Sequence, residues 1–87
     1  MESGTASMRL EYDPEADAVY IYLREAVPFA FTHNLDDARN IDYGPDNLPI
    51  GVELLGVSHG VDLTDLPQRA DLARLLAEAH LPGWDAA

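Results

Sequence analysis

The segment Ala18–Leu23, Ala-Val-Tyr-Ile-Tyr-Leu, constrains the fold more than any other part of the chain. Its β-branched and aromatic residues favour an extended backbone, and alternate side chains along a strand point to opposite faces. Val19, Ile21 and Leu23 then share one face, and Ala18, Tyr20 and Tyr22 share the other. Both faces are apolar, which places the strand centrally in a sheet with something covering each side. The chain has 87 residues, enough for one small core that buries roughly 60% of the unfolded surface.

The neighbouring segments supply the rest of that sheet. Met8–Tyr12 alternates apolar and charged residues, as a strand with one wet face does. Asp13-Pro14-Glu15-Ala16-Asp17 reads as a turn, since Pro presets φ and an Asp side chain accepts from the amides that follow. Phe29–Leu35 alternates again, with Phe29, Phe31, His33 and Leu35 on one face. Arg39–Tyr43 is a short strand, Gly44–Asn47 a turn, and Pro49–Val57 a last strand that Pro49 must open, because it cannot donate to a ladder. Ile50, Val52 and Leu54 have one parity and Leu55 and Val57 the other, so a β-bulge is expected near Gly56.

From Thr64 the period lengthens. Leu72, Leu75, Leu76 and Ala79 follow helical spacing, opposite Asp71, Arg74 and Glu78. Thr64 or Asp65 is the expected N-cap, with Gln68 completing a capping box, Pro67 in the first turn and Pro82-Gly83 closing the helix. The expected architecture is α+β: a small antiparallel sheet of four to five hairpin-linked strands, followed by one C-terminal helix packed on one face. Residues 1–7 read as a flexible extension and 8–87 as a single domain. Trp84 is expected to fold back onto the core rather than meet a partner.

Charge and composition exclude several functions. Five Arg, no Lys and 16 Asp plus Glu leave a net charge of −11, which repels phosphate backbones and anionic membranes. No nucleic-acid or membrane partner is expected. Without cysteine there is no thiol nucleophile or disulfide framework. Met1–Ser7 lacks the basic and apolar regions of a signal peptide, so the cytoplasm is the expected compartment.

No residue stands out as catalytic, metal-binding or cofactor-binding, and no cofactor is expected. Asp13-x-Glu15-x-Asp17 has the opening spacing of a calcium loop, but Ala18 and Arg24 stand where the loop needs Gly and Glu. Asp42 and Glu53 lie on strands that pair across the Gly44–Leu48 turn, and two nearby carboxylates can split their pKa values for acid–base work. His59, in a loop before Gly60, is the histidine that would complete such a site. His33 and His80 have no partner at ligand spacing, and His80 suits a helix C-terminus. Gly51 and Gly56 read as close-packing or bulge positions. One helix covers one face, leaving Tyr20, Tyr22, Leu55 and Val57 as a candidate interface for a homodimer.

The run Tyr12-Asp13-Pro14-Glu15-Ala16-Asp17-Ala18-Val19-Tyr20-Ile21, with Asp42-Tyr43 and Gly51-Val52-Glu53 following, resembles the bacterial domain-of-unknown-function family numbered 2283. Asn47 stands where that family usually has a turn glycine, and Asn tolerates the left-handed conformation best among non-glycine residues. Pro49 stands where a β-branched residue is usual. The resemblance implies a fold and a bacterial origin, and it brings no activity. Some members resemble, by gene arrangement, the acidic partner of a small basic toxin.

The expected function is therefore a non-enzymatic interaction module, dimeric and antitoxin-like, that holds a basic protein. The alternatives are a small metal-dependent or acid–base enzyme using Asp42, Glu53 and His59, and a structural adaptor subunit.

Overall fold

The computed structural model describes residues 8–81, so Met1–Ser7, the Pro82-Gly83 stop and Trp84 lie outside the described residues. Five strands form one antiparallel sheet: β1 (Arg9–Asp13), β2 (Ala18–Tyr22), β3 (Phe31–Asp36), β4 (Arg39–Tyr43) and β5 (Pro49–Leu55). They are followed by a 3₁₀ turn at Val57–His59 and one helix, α1 (Arg69–Ala79). The α+β architecture is the expected one.

The order across the sheet is β1-β2-β5-β4-β3. β5, with Ile50, Val52 and Leu54 buried on one side, is the middle strand, and β2 lies between it and β1. The link from β2 to β3 is accordingly a crossing rather than a hairpin. It is held by Leu23 and Arg24 donating from their backbone amides to the Ile50 carbonyl. Arg24 also grips Asp46 with both terminal nitrogens at 3.0–3.1 Å.

The core lies between the helix and one face of the sheet. Val19, Ile21, Ile41, Val52 and Leu54 meet Leu72, Leu76, Leu66 and Leu81 there. Gly56 ends β5 with φ at 66° instead of forming a bulge inside a longer strand. That left-handed residue reverses the parity, so Leu55 stays on the open face while Val57 turns into the core at 1% exposure. Val57 thus leaves the expected interface. The bulges fall elsewhere, at Asn34–Asp36 and at Asp42–Tyr43.

Arg39 explains why the helix starts late. It sits on the core face of β4 opposite Leu54 and is only 9% exposed. The bulge in β3 turns the Asp36 carboxylate to that same face, where it accepts from Arg39 Nε at 2.9 Å. Arg39 Nη1 donates to the carbonyls of Asp62 and Thr64. Those carbonyls are thereby withdrawn from any helical ladder, and Asp65 and Gln68 take positive φ values of 65° and 53°. The expected start at Thr64 with a capping box is replaced by a helix from Arg69 whose N-cap is Gln68. Asp62 instead accepts from the amide and hydroxyl of Thr64 in an Asx turn.

The Arg39 guanidinium, with the Ala38 amide, holds the Asp36 carboxyl below the usual range, and the Thr64 donors do so for Asp62 with Arg39 adding to the effect. Both shifts contribute stability that is complete above the ordinary carboxylate pKa, near 4, and is lost as the pH falls through the folded values. Arg39→Leu should lower the unfolding free energy by about 2–4 kcal/mol, because it removes the donors to two carbonyls and the ion pair with Asp36. Urea unfolding measures this loss, and the acid limb of the stability profile should become shallower in the variant.

Candidate functional site

The face of the sheet turned away from the helix is polar, and its strand register organises it in two rows. Glu11, Tyr20, Glu53, Asn40 and Asn34 stand side by side across all five strands. Arg9, Tyr22, Gly51, Asp42 and Thr32 form the adjacent row. Paired residues of neighbouring strands share a face, so these ten residues form one continuous surface.

Hydrogen bonds run along and between the rows. The Tyr20 hydroxyl crosses β5 and donates to Asp42 Oδ2 at 2.7 Å, and Thr32 donates to Asp42 Oδ1 at 2.6 Å. Asn40 donates to Glu53 at 3.0 Å and accepts from Asn34 at 2.6 Å. At the β1 side, Tyr22 donates to Glu11 at 3.1 Å, and Arg9 pairs with Glu11 and Glu25 while lying 4.0 Å from the centre of the Tyr22 ring. The two tyrosine rings meet edge to face at 4.7 Å.

Gly51 makes the central crossing possible. A β-carbon there would stand 1.8 Å from the Tyr20 hydroxyl oxygen. The tyrosine ring fills the space a side chain would occupy, which protects the backbone of the middle strand. Burial raises the Tyr20 phenol well above its ordinary range, and the bond to Asp42 adds to the shift. Tyr20 is therefore held protonated as a donor. Donors from Arg9 and Tyr22 lower the Glu11 carboxyl.

The residues singled out from sequence are brought together only in part. Asp42 and Glu53 do share this face, but diagonally, with Gly51 opposite Asp42 and Asn40 opposite Glu53. His59 is exposed in the 3₁₀ turn beyond β5, and among the described residues no side-chain hydrogen bond joins it to either carboxylate. Among those residues no three His, Asp or Glu side chains gather closely enough to hold a metal ion. Tyr20 and Tyr22 are half-buried members of the polar network rather than a bare apolar patch. Sequence reasoning missed Thr32, Asn34 and Asn40, whose alternation along β3 and β4 was the available signal.

The end of the sheet where β5 finishes has a different character. Asp13 lies opposite Ala18, Ala18 opposite Leu55, and Leu55 donates its amide to the Ala38 carbonyl, so the β1–β2 and β3–β4 turns flank Leu55. Asp13 accepts from the amides of Glu15 and Ala16, and Asp17 accepts from the amide and hydroxyl of Ser58 at 2.9 and 2.7 Å. Leu55 is 37% exposed and lies between two depressions. One, of 460 Å³, is lined by Asp36, Asp37, Arg39, Leu54, Val61 and Asp62 among others. The other, of 320 Å³, has Glu11, Asp13 and Glu53 in its wall.

Among the described residues no helix is long and apolar enough to cross a membrane. Gly51→Ala should displace Tyr20 and destabilise the fold by about 1–3 kcal/mol. In spectrophotometric titration of the wild type, one tyrosine should ionise above the ordinary phenol range. Asp42→Asn should move it back toward that range. Because the shift is upward, its stabilising contribution is complete below the ordinary phenol pKa, near 10, and is lost as the pH climbs toward the folded value.

No curated protein and no solved structure matches this chain. Residues 9–58 match the family described as "Protein of unknown function (DUF2283)". That segment holds every strand of the sheet and the residues Tyr20, Asp42, Gly51 and Glu53 on which the open-face network turns. It spans more than half of the 87 residues, and the chain belongs to this family of unknown function.

Proposed function

We propose that the protein is a cytoplasmic, non-enzymatic interaction module that holds a basic protein partner at the end of the sheet where β5 finishes. The observation that carries this reading is an exposed leucine ringed by carboxylates from three separate turns. Leu55 lies between a depression walled by Glu11, Asp13 and Glu53 and one walled by Asp36, Asp37 and Asp62, and the turn that carries Glu15 and Asp17 leads into Ala18 opposite it. Arg39, which lines the larger of the two depressions, is buried and engaged by Asp36 and two carbonyls, so its charge is spent inward.

Apolar contact at the centre and like charge at the rim suit a basic, amphipathic surface. Complementary charge accelerates the encounter and discriminates against acidic competitors. The opposite end of the sheet has no comparable excess, since Arg9 and Arg24 there pair with Glu25 and Asp46.

The acid–base alternative draws less support. Both oxygens of Asp42 accept from hydroxyl groups, and the Tyr20 phenol is held protonated.

The immobilised 87-residue chain should retain a basic protein from a lysate of its source at low salt, and the complex should weaken as salt rises. The double variant Glu15→Gln/Asp37→Asn should lower affinity by about tenfold, whereas Glu25→Gln should leave it unchanged. Recovery of no basic protein at low salt, or equal binding by the double variant, overturns the proposal.

A further inference from the structure

Among the described residues the sheet has two edges, β1 and β3. Along β1, Arg9, Glu11 and Asp13 put charge on the edge, which is a usual protection against strand addition. β3 lacks that protection. From Ala26 to Leu35 no Asp, Glu, Lys or Arg occurs, the longest such run in the chain, and β3 begins within it. Thr32, His33 and Asn34 are exposed, and no Pro or Lys interrupts the strand. Phe31 stacks on Tyr43 with ring centres 5.0 Å apart yet remains 44% exposed, and Phe29 just before the strand is 61% exposed. The bulge at Asn34–Asp36 ends the regular part of the edge before the acidic turn.

We propose that β3 is where two copies of this chain join, edge to edge and antiparallel, into a continuous ten-stranded sheet. The charge distribution selects the occupant. Two bodies of net charge −11 repel wherever their acidic surfaces face, and this neutral strip is where identical copies meet with least repulsion. A basic partner gains nothing from it, because its attraction lies at the carboxylate-ringed end.

The geometry is also self-complementary. An antiparallel pair of edge strands has its two-fold axis perpendicular to the sheet, and facing residues share a side. An axis at Thr32 sets that residue against the partner's Thr32 on the polar face and Phe31 against the partner's His33 on the helix-bearing face. The polar rows of the open face then run on across the junction, and both helices stay on one side. This pairing differs from the tyrosine-face dimer expected from sequence, because Tyr20 and Tyr22 are already engaged within one copy.

Sedimentation velocity of the full chain tests the proposal independently of any basic partner. The wild type should dimerise in the micromolar range, and more tightly as salt rises, because salt screens two like-charged bodies. That sign is opposite to the one expected for the basic complex. His33→Glu should weaken the dimer by about tenfold or more while circular dichroism remains that of the wild type. Phe31→Ala should also weaken it, and Glu15→Gln, remote from the edge, should not. A wild type that stays monomeric at high-micromolar concentration in both low and high salt overturns the proposal. So does a folded His33→Glu variant that dimerises as tightly as the wild type.

Discussion

The organisation of this protein follows from a mismatch between one short helix and a five-stranded sheet. Eleven helical residues extend about 16 Å at the usual rise, while five strands at their usual spacing set the outer two roughly 19 Å apart. A helix is also only as wide as its side chains, about 10 Å. It seals a stripe of one face through Leu72 and Leu76 and leaves the rest of the sheet to be closed by other means. Part of the remaining core face is closed by the segment between β5 and the helix, where Val57, Leu63 and Leu66 pack against the core. Arg39 holds that segment down, substituting directed hydrogen bonds for the apolar contact that a longer helix would have made.

The open face solves the same problem with polar chemistry. Side chains of complementary hydrogen-bonding capacity stand in register, so the surface needs no cover and the tyrosine rings supply apolar mass over the middle strand. Gly51 is the hinge of that arrangement, since only a residue without a side chain lets Tyr20 lie flat across β5. Four of the residues that carry the family resemblance, Tyr20, Asp42, Gly51 and Glu53, build this network. That part of the motif finishes a thin sheet, while the Asp13–Asp17 part forms the turn at the acidic end.

Local chemistry was legible in the sequence to a large extent. The five strands, the turn with Asp13 accepting from the next amides, the left-handed Asn47 and the period of the helix all depend on residues within a few positions of one another. The errors have one origin. Thr64–Gln68 has every local feature of a helix start, and it is overridden by Arg39, whose bonds to it span 23 and 25 positions. Val57 has the parity of an open-face residue until Gly56 turns the chain over. Asp42 and Glu53 were singled out because their strands pair, but their real partners Tyr20, Thr32 and Asn40 could not be chosen without the strand order.

Sequence by itself determined which segments are extended, which face of each strand is apolar, where the turns fall and how large the charge is, because those properties are set by neighbours along the chain. Tertiary structure decided that β5 lies in the middle, that Tyr20 crosses it to meet Asp42, and that acids from three distant turns gather around Leu55. It also left the charge-free segment at an edge, with β3 unpaired on its outer side among the described residues. The physical reason is that strand order and register are settled by which faces bury one another, and contacts between residues 22 to 41 positions apart leave no periodic trace in the chain. Acidic turns far apart in the sequence and one charge-free run thus become, in the fold, an acidic end and a neutral edge.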